Sequence, residues 1–165
     1  MSRLRYIFLL GVIVACLGLA MPVRSATTAL VATKLRLTAA PRAGQSVILA
    51  TLSNTSNQPI IIYRISSPAA PTAMLHYDAN MCHKGSRMNL LPMVVIPSHH
   101  SLKLSIRGIG AMLSPVRHTL HTGHVESVTI RWRIGSQSQV TRFQASIVKP
   151  PKGLQTKSLR SRQVG

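Results

Sequence analysis

Apolar and polar positions alternate in short runs through most of the chain. "ESVTIRWRI" (126–134) puts Val128, Ile130, Trp132 and Ile134 on one face and Thr129, Arg131 and Arg133 on the other. That period of two is the signature of a half-buried strand. "GSQS" (135–138) then turns the chain into "QVTRFQASIV" (139–148), which predicts a hairpin. "SVILATLSN" (46–54), "PIIIYRIS" (59–66) and "SLKLSIRGI" (101–109) are further short runs rich in Val, Ile and Leu, punctuated by Asn-Ser, Pro and Gly. No stretch carries a helical period. Roughly seven or eight strands at this spacing predict one all-β domain, a sandwich or Greek-key barrel, and 165 residues are enough for one domain with a real core.

The two ends read differently. "MSRLRYIFLLGVIVACLGLAMPVRSA" has basic Arg3 and Arg5, an apolar run from Tyr6 to Met21, and small residues Val23 and Ser25 before Ala26. This predicts a secretory signal peptide over 1–25 and export to the periplasm or cell envelope. "IVAC" offers a second reading, a lipoprotein signal with Cys16 as the lipid-bearing residue. A membrane-spanning anchor is the weaker account, because the run is short for a bilayer. The other end, "KPPKGLQTKSLRSRQVG" (149–165), is basic, punctuated by Pro and Gly and poor in apolar residues, which predicts a disordered tail.

Charge narrows the functional classes. The chain has twenty Lys and Arg against two acids, Asp78 and Glu126; taking away Arg3, Arg5 and Arg24 leaves seventeen in the exported part. Nucleic acid is not the expected partner, because the chain is exported, its basic residues are scattered, and it has few aromatics on which bases could stack. An envelope protein facing anionic lipid or acidic surroundings fits better. Two carboxylates leave no acid–base pair, and there is no G-x-S-x-G elbow, so an enzyme is not expected. With Cys16 gone, Cys82 is a lone thiol in an oxidising compartment, a reactive group or a ligand.

The candidate chemistry lies between positions 74 and 112. All five methionines beyond the signal are there (Met74, Met81, Met88, Met93, Met112), with His76, His83, His99 and His100. Thioether and imidazole together suit Cu(I), and thioethers are not lost to protonation at low pH. Calcium and magnesium would need carboxylates that are missing, and zinc more thiolate or imidazole. Against this, Met in a β-sandwich is usually core filler, and Met74 and Met93 read as packing. A second group, His118, His121 and His124 in "HTLHTGH", has a spacing that could chelate Cu(II) or zinc, but reads first as a solvated loop.

The order of these residues resembles the PCu(A)C family of periplasmic copper chaperones, whose Cu(I) ligands are a His, then a Met, then a His-x-Met pair. "SSPAAPTAMLH" (66–76) is similar to the strand ending in the first ligand, His76. "RMNLLPMVVIP" (87–97) is similar to the Met-bearing segment, with Met88 in place, and "SLKLSIRGIGAML" (101–113) to the strand leading into His-x-Met. "LTAAPRAGQSVILATLSNTS" (37–56) is similar to the opening turn and first long strand, so the likeness spans roughly 33–148. The resemblance implies a cupredoxin-like Greek-key β-sandwich over 26–148. It implies Cu(I) as cargo, with Cu(II) as the alternative state. It also implies ligand exchange from a shallow, incompletely enclosed site toward cytochrome oxidase subunit II or a Sco-type copper protein.

Two departures stand out. Gly110-Ala111-Met112 occupies the place of His-x-Met, and the interval from His76 to Met88 holds eleven residues where the family has ten. Met81, Cys82 and His83 lie in that interval and are possible substitutes for the ligand missing at Gly110. The other reading of Gly110 is a member that lost its metal and kept the scaffold. That member would be a metal-free envelope module using its basic surface on anionic lipid or an acidic partner.

Overall fold

The computed structural model describes residues 29–78 and 89–151. The predicted signal peptide, Cys16 and the tail from residue 152 lie outside the described residues. Ten strands follow in order: β1 Leu30–Thr38, β2 Ser46–Asn54, β3 Ile60–Ser66, β4 Ala73–Asp78, β5 Asn89–Leu90, β6 Val94–Ile96, β7 Ser101–Leu104, β8 Gly108–Leu113, β9 Val125–Ile134 and β10 Gln137–Val148. There is no helix among the described residues.

The hairpin forms with a tighter turn than expected. β10 already pairs from Gln137, opposite Ile134, so only Gly135 and Ser136 turn the chain. Gly135 has φ +55°. Two-residue hairpins need positive φ in the turn, which glycine adopts without penalty. Along β9 the predicted alternation holds: Val128, Ile130 and Trp132 are buried, while Arg131 and Arg133 are exposed.

One sheet joins the strands in the order β5-β4-β8-β2-β1-β10-β9-β3-β6, with β7 pairing β2. All pairings are antiparallel except β1 with β10. The sheet curls on itself: Leu75 of β4 and Leu113 of β8 share one buried cluster with Ile62 of β3, Val94 of β6 and Trp132 of β9. A flat sheet would leave these faces apart. The result is the all-β, cupredoxin-like architecture, drawn as a curled sheet rather than two separate layers.

The run 101–109 does not form one strand. β7 pairs with Ala50–Ser53 and β8 with Ser46–Ile48, so both run along the same edge of β2, with Ser105–Arg107 displaced between them. The Ser105 amide donates to the Ile109 carbonyl at 3.0 Å and the Ser105 hydroxyl to the Arg107 carbonyl. Gly108 resumes the strand at φ +84°, a conformation costly for any residue with a Cβ. This interruption, together with a two-residue β5 too short to leave a pattern, explains why the strands outnumber the expectation.

Candidate metal centre

β4 and β8 build the candidate site because each sends alternate residues to opposite faces. Ala73 and Leu75 of β4, and Ala111 and Leu113 of β8, belong to the main core. The residues between them face the other way. Met74 lies opposite Met112 and His76 opposite Gly110, with Met112 in turn opposite Val47 of β2. Met112 and Val47 are buried, yet neither is part of the main core cluster. A second, smaller buried patch therefore lies on the outer side of the sheet, and among the described residues neither His76 nor Met112 is part of the main core cluster.

His76 is the centre of that patch. It is 1 % exposed. Its Nδ1 lies 3.4 Å from the Met74 carbonyl oxygen. A proton on Nδ1 directed at that carbonyl leaves Nε2 as a lone-pair donor, the form in which imidazole binds metals. Nε2 is buried without a hydrogen-bond partner. Such an atom costs about 1–3 kcal/mol, and an unsatisfied buried group in a folded protein commonly marks a functional constraint.

Gly110 is what makes room for the ring. A Cβ at 110 would stand 2.6 Å from His76 Nε2, 2.8 Å from Cε1 and 2.9 Å from the Ser105 carbonyl oxygen. The imidazole thus lies over the backbone of β8, and the displaced Ser105 closes in from the other side. Position 110 is therefore occupied by the ring of His76 itself, rather than being a gap awaiting a side chain.

The remaining sequence candidates divide. Met81, Cys82, His83 and Met88 lie outside the described residues. The flanks of their segment are described: Tyr77 pairs with Asn89 and His76 with Leu90. The described residues on either side of that interval thus pair with each other beside His76. Met112, at 4 % exposure, and His76 are enclosed, so the expectation of a shallow, open site does not hold for these two donors. Met93, expected in the core, is 43 % exposed, because it precedes β6 in the bend after β5. Met74 is half-buried and faces away from the main core, against the expectation of core packing. The signal that could have found it is the Met-x-His spacing, which shares one face of any strand.

The other histidines do not join the site. His99 Nε2 lies 2.7 Å from Asn57 Oδ1, and His100 Nδ1 2.7 Å from the Ser98 carbonyl. His118 turns to Glu126, Nε2 to Oε2 3.6 Å, while the His121 and His124 rings stand 5.7 Å apart between centroids. Among the described residues no three His, Cys, Asp or Glu side chains converge on a metal position. A site built from the described residues must use thioether sulfur.

The fold is similar to those of several solved structures. A copper-bound PCuAC domain from PmoF2 has a TM-score of 0.60 at 10% identity, covering 74% of this chain and 94% of that domain. An apo PCuAC domain from PmoF1 gives 0.58 at 18% identity, covering 74% and 95%. The solution structure of CuI-DR1885 from Deinococcus radiodurans gives 0.54 at 23% identity, covering 76% and 83%. No curated protein sequence matches. The family model described as "Putative lipoprotein LpqE-like" matches residues 23–143. By that match and this shared fold, the chain belongs to the LpqE-like family, a PCuAC-type family with a cupredoxin-like β architecture.

Proposed function

We propose that this chain is a copper-binding protein of the cell envelope that takes up one Cu(I) ion at His76, Met88 and Met112 and passes it on by ligand exchange. The observation that carries the reading is the buried, unpartnered Nε2 of His76, two positions along the face from Met112 and away from the core. Residues retained for packing alone would not leave that nitrogen orphaned. The copper bound in the PmoF2 and DR1885 structures, and the lipoprotein description of the family, support cargo and compartment.

The charge of the ion follows from the donors. Imidazole and thioether are neutral, and a chain of net charge +18 opposes any cation. A monovalent soft ion is opposed least, and thioether sulfur selects it over Cu(II) or zinc. Neutral donors also make release possible, since an acceptor thiolate binds Cu(I) more strongly than a thioether does. Such an acceptor is a Sco-type copper protein or the copper centre of cytochrome oxidase subunit II. The protein supplies binding and positioning and no catalysis.

An anaerobic Cu(I) titration against a competing chromophoric chelator should give one ion per chain, and the loaded protein should transfer copper to the isolated copper domain of subunit II. Absence of Cu(I) binding, or binding indifferent to Met112→Leu, would overturn the copper reading. Retained copper in the presence of that acceptor would overturn delivery alone.

A second reading, compatible with the first, rests on a separate surface. The outer side of β1, β10, β9 and β3 carries Arg36, Arg142, Arg131, Arg133 and Arg64, with exposed Val140 beside them and Val95 on β6. Among the described residues no acidic residue lies on this side of these strands. Of the two acids in the chain, Asp78 is on β4, and Glu126 accepts hydrogen bonds from the Ser67 hydroxyl and the Ala69 amide. Counter-charge must come from outside, and we read this face as an anionic-bilayer surface. A chain beginning at Ala26 should sediment with phosphatidylglycerol vesicles at low salt, and Arg131→Gln with Arg142→Gln should weaken this several-fold. Equal sedimentation with neutral vesicles would sink the reading.

A further inference from the structure

We propose that Met74 is a copper ligand: its thioether joins that of Met112 and Nε2 of His76 as a donor on the outer face of β4 and β8. This rests on the copper-binding reading and adds a donor that the family pattern of His, Met and His-x-Met does not contain. The register is the first support. Met74 stands directly opposite Met112, and His76 shares their face one pair further along. Directly opposed residues have Cβ atoms about 4.5–5.5 Å apart, and diagonal neighbours are within reach of long side chains. Two flexible thioethers and an imidazole therefore share one face, within the reach of long side chains.

The second support is independent of the register. His76 Nε2 is buried without a partner. It lies over the Cα of Gly110, on the strand that carries Met112, as the 2.6 Å approach to a Cβ at 110 shows. The Nδ1 contact with the Met74 carbonyl ties the orientation of the ring to the backbone of Met74 itself. Each neighbour in sequence that could have drawn these residues inward, Ala73, Leu75, Ala111 and Leu113, is in the main core. The three donors are the positions left over on the opposite side.

Exposure assigns Met74 a distinct part. His76 and Met112 are enclosed, whereas Met74 is half-buried. It is the donor an incoming acceptor meets first, so it is the one to be displaced first in transfer. It also supplies the coordination that glycine at 110 cannot, which removes the need to read Gly110 as the loss of a site.

Met74→Leu keeps the volume and removes the sulfur. We expect it to lower Cu(I) affinity about tenfold or more, to remove one sulfur scatterer from the Cu(I) X-ray absorption spectrum, and to leave the melting temperature of the copper-free protein unchanged. Met74→Cys, kept reduced, restores a sulfur donor and should recover affinity, which a merely structural role would not predict. If Met74→Leu matches the parent in affinity and sulfur count while Met112→Leu lowers both, Met74 is packing; this proposal falls and the copper reading stands. If neither substitution changes affinity, both fall.

Discussion

Gly110→Ala should weaken both the fold and the site. The new Cβ would meet His76 Nε2 at 2.6 Å and the Ser105 carbonyl oxygen at 2.9 Å, well inside van der Waals contact. The ring is the movable partner of the two, and it must swing off β8. The carbonyl belongs to backbone fixed by the Ser105 amide bond to Ile109. Overpacking of this kind costs about 1–3 kcal/mol, and in a domain of this size that lowers the melting temperature by roughly 5–10 °C. Because the displaced atom is the nitrogen donor of the proposed site, Cu(I) affinity should fall with it. Gly108→Ala separates strain from site. Its Cβ meets nothing within 4 Å, but φ is +84°, so about 1 kcal/mol of backbone strain is expected with copper affinity kept. Gly110→His, which completes the family pattern on paper, begins with the same Cβ and should lose affinity rather than gain it. Parent-like melting and parent-like Cu(I) affinity in Gly110→Ala would show that the ring does not depend on the glycine.

These expectations differ from what the sequence suggests, and the reason is long-range pairing. Alternation along β9 is local, and Val128, Ile130 and Trp132 fell inside as the pattern predicts. His76 and Met112 stood out in the sequence because their types and order carry the chemistry of soft-metal binding. That Gly110 faces His76 is a property of the β4–β8 register. The register depends in turn on where Ser105–Arg107 leave the sheet and Gly108 rejoins it. The alternation of Leu102, Leu104 and Ile106 runs on through the residues that leave the sheet, and only the change of phase from Ile106 to Ile109 at Gly108 marks the interruption. A glycine where a ligand is expected therefore reads as a loss, when its missing side chain is the space that the His76 ring fills. Met74 was misread for a related reason. Methionine is apolar, so composition alone assigns it inward, but β4 packs Ala73 and Leu75 against the core and turns Met74 out beside His76.

His76→Leu should move stability and copper binding in opposite directions. In the copper-free protein the imidazole is a cost: Nε2 is buried without a partner, and the Nδ1 contact to the Met74 carbonyl, at 3.4 Å, is too long to offset it. Leucine removes the orphan and keeps a buried apolar body over Gly110. Relief of an unsatisfied buried group amounts to about 1–3 kcal/mol; after some loss of fit we expect a gain of about 1 kcal/mol and a melting temperature higher by roughly 4 °C. Copper binding should suffer severely. Losing a residue that merely orients a metal ligand already costs about 10–100-fold in affinity, so losing the nitrogen donor itself should cost at least about a hundredfold. A natural protein keeps a destabilising side chain where function needs it, and the two signs together test that account. Melting of the copper-free protein and competitive Cu(I) titration, run on the same preparation, give both. If His76→Leu melts below the parent and still binds Cu(I) with parent affinity, His76 is a core residue and the copper centre lies elsewhere.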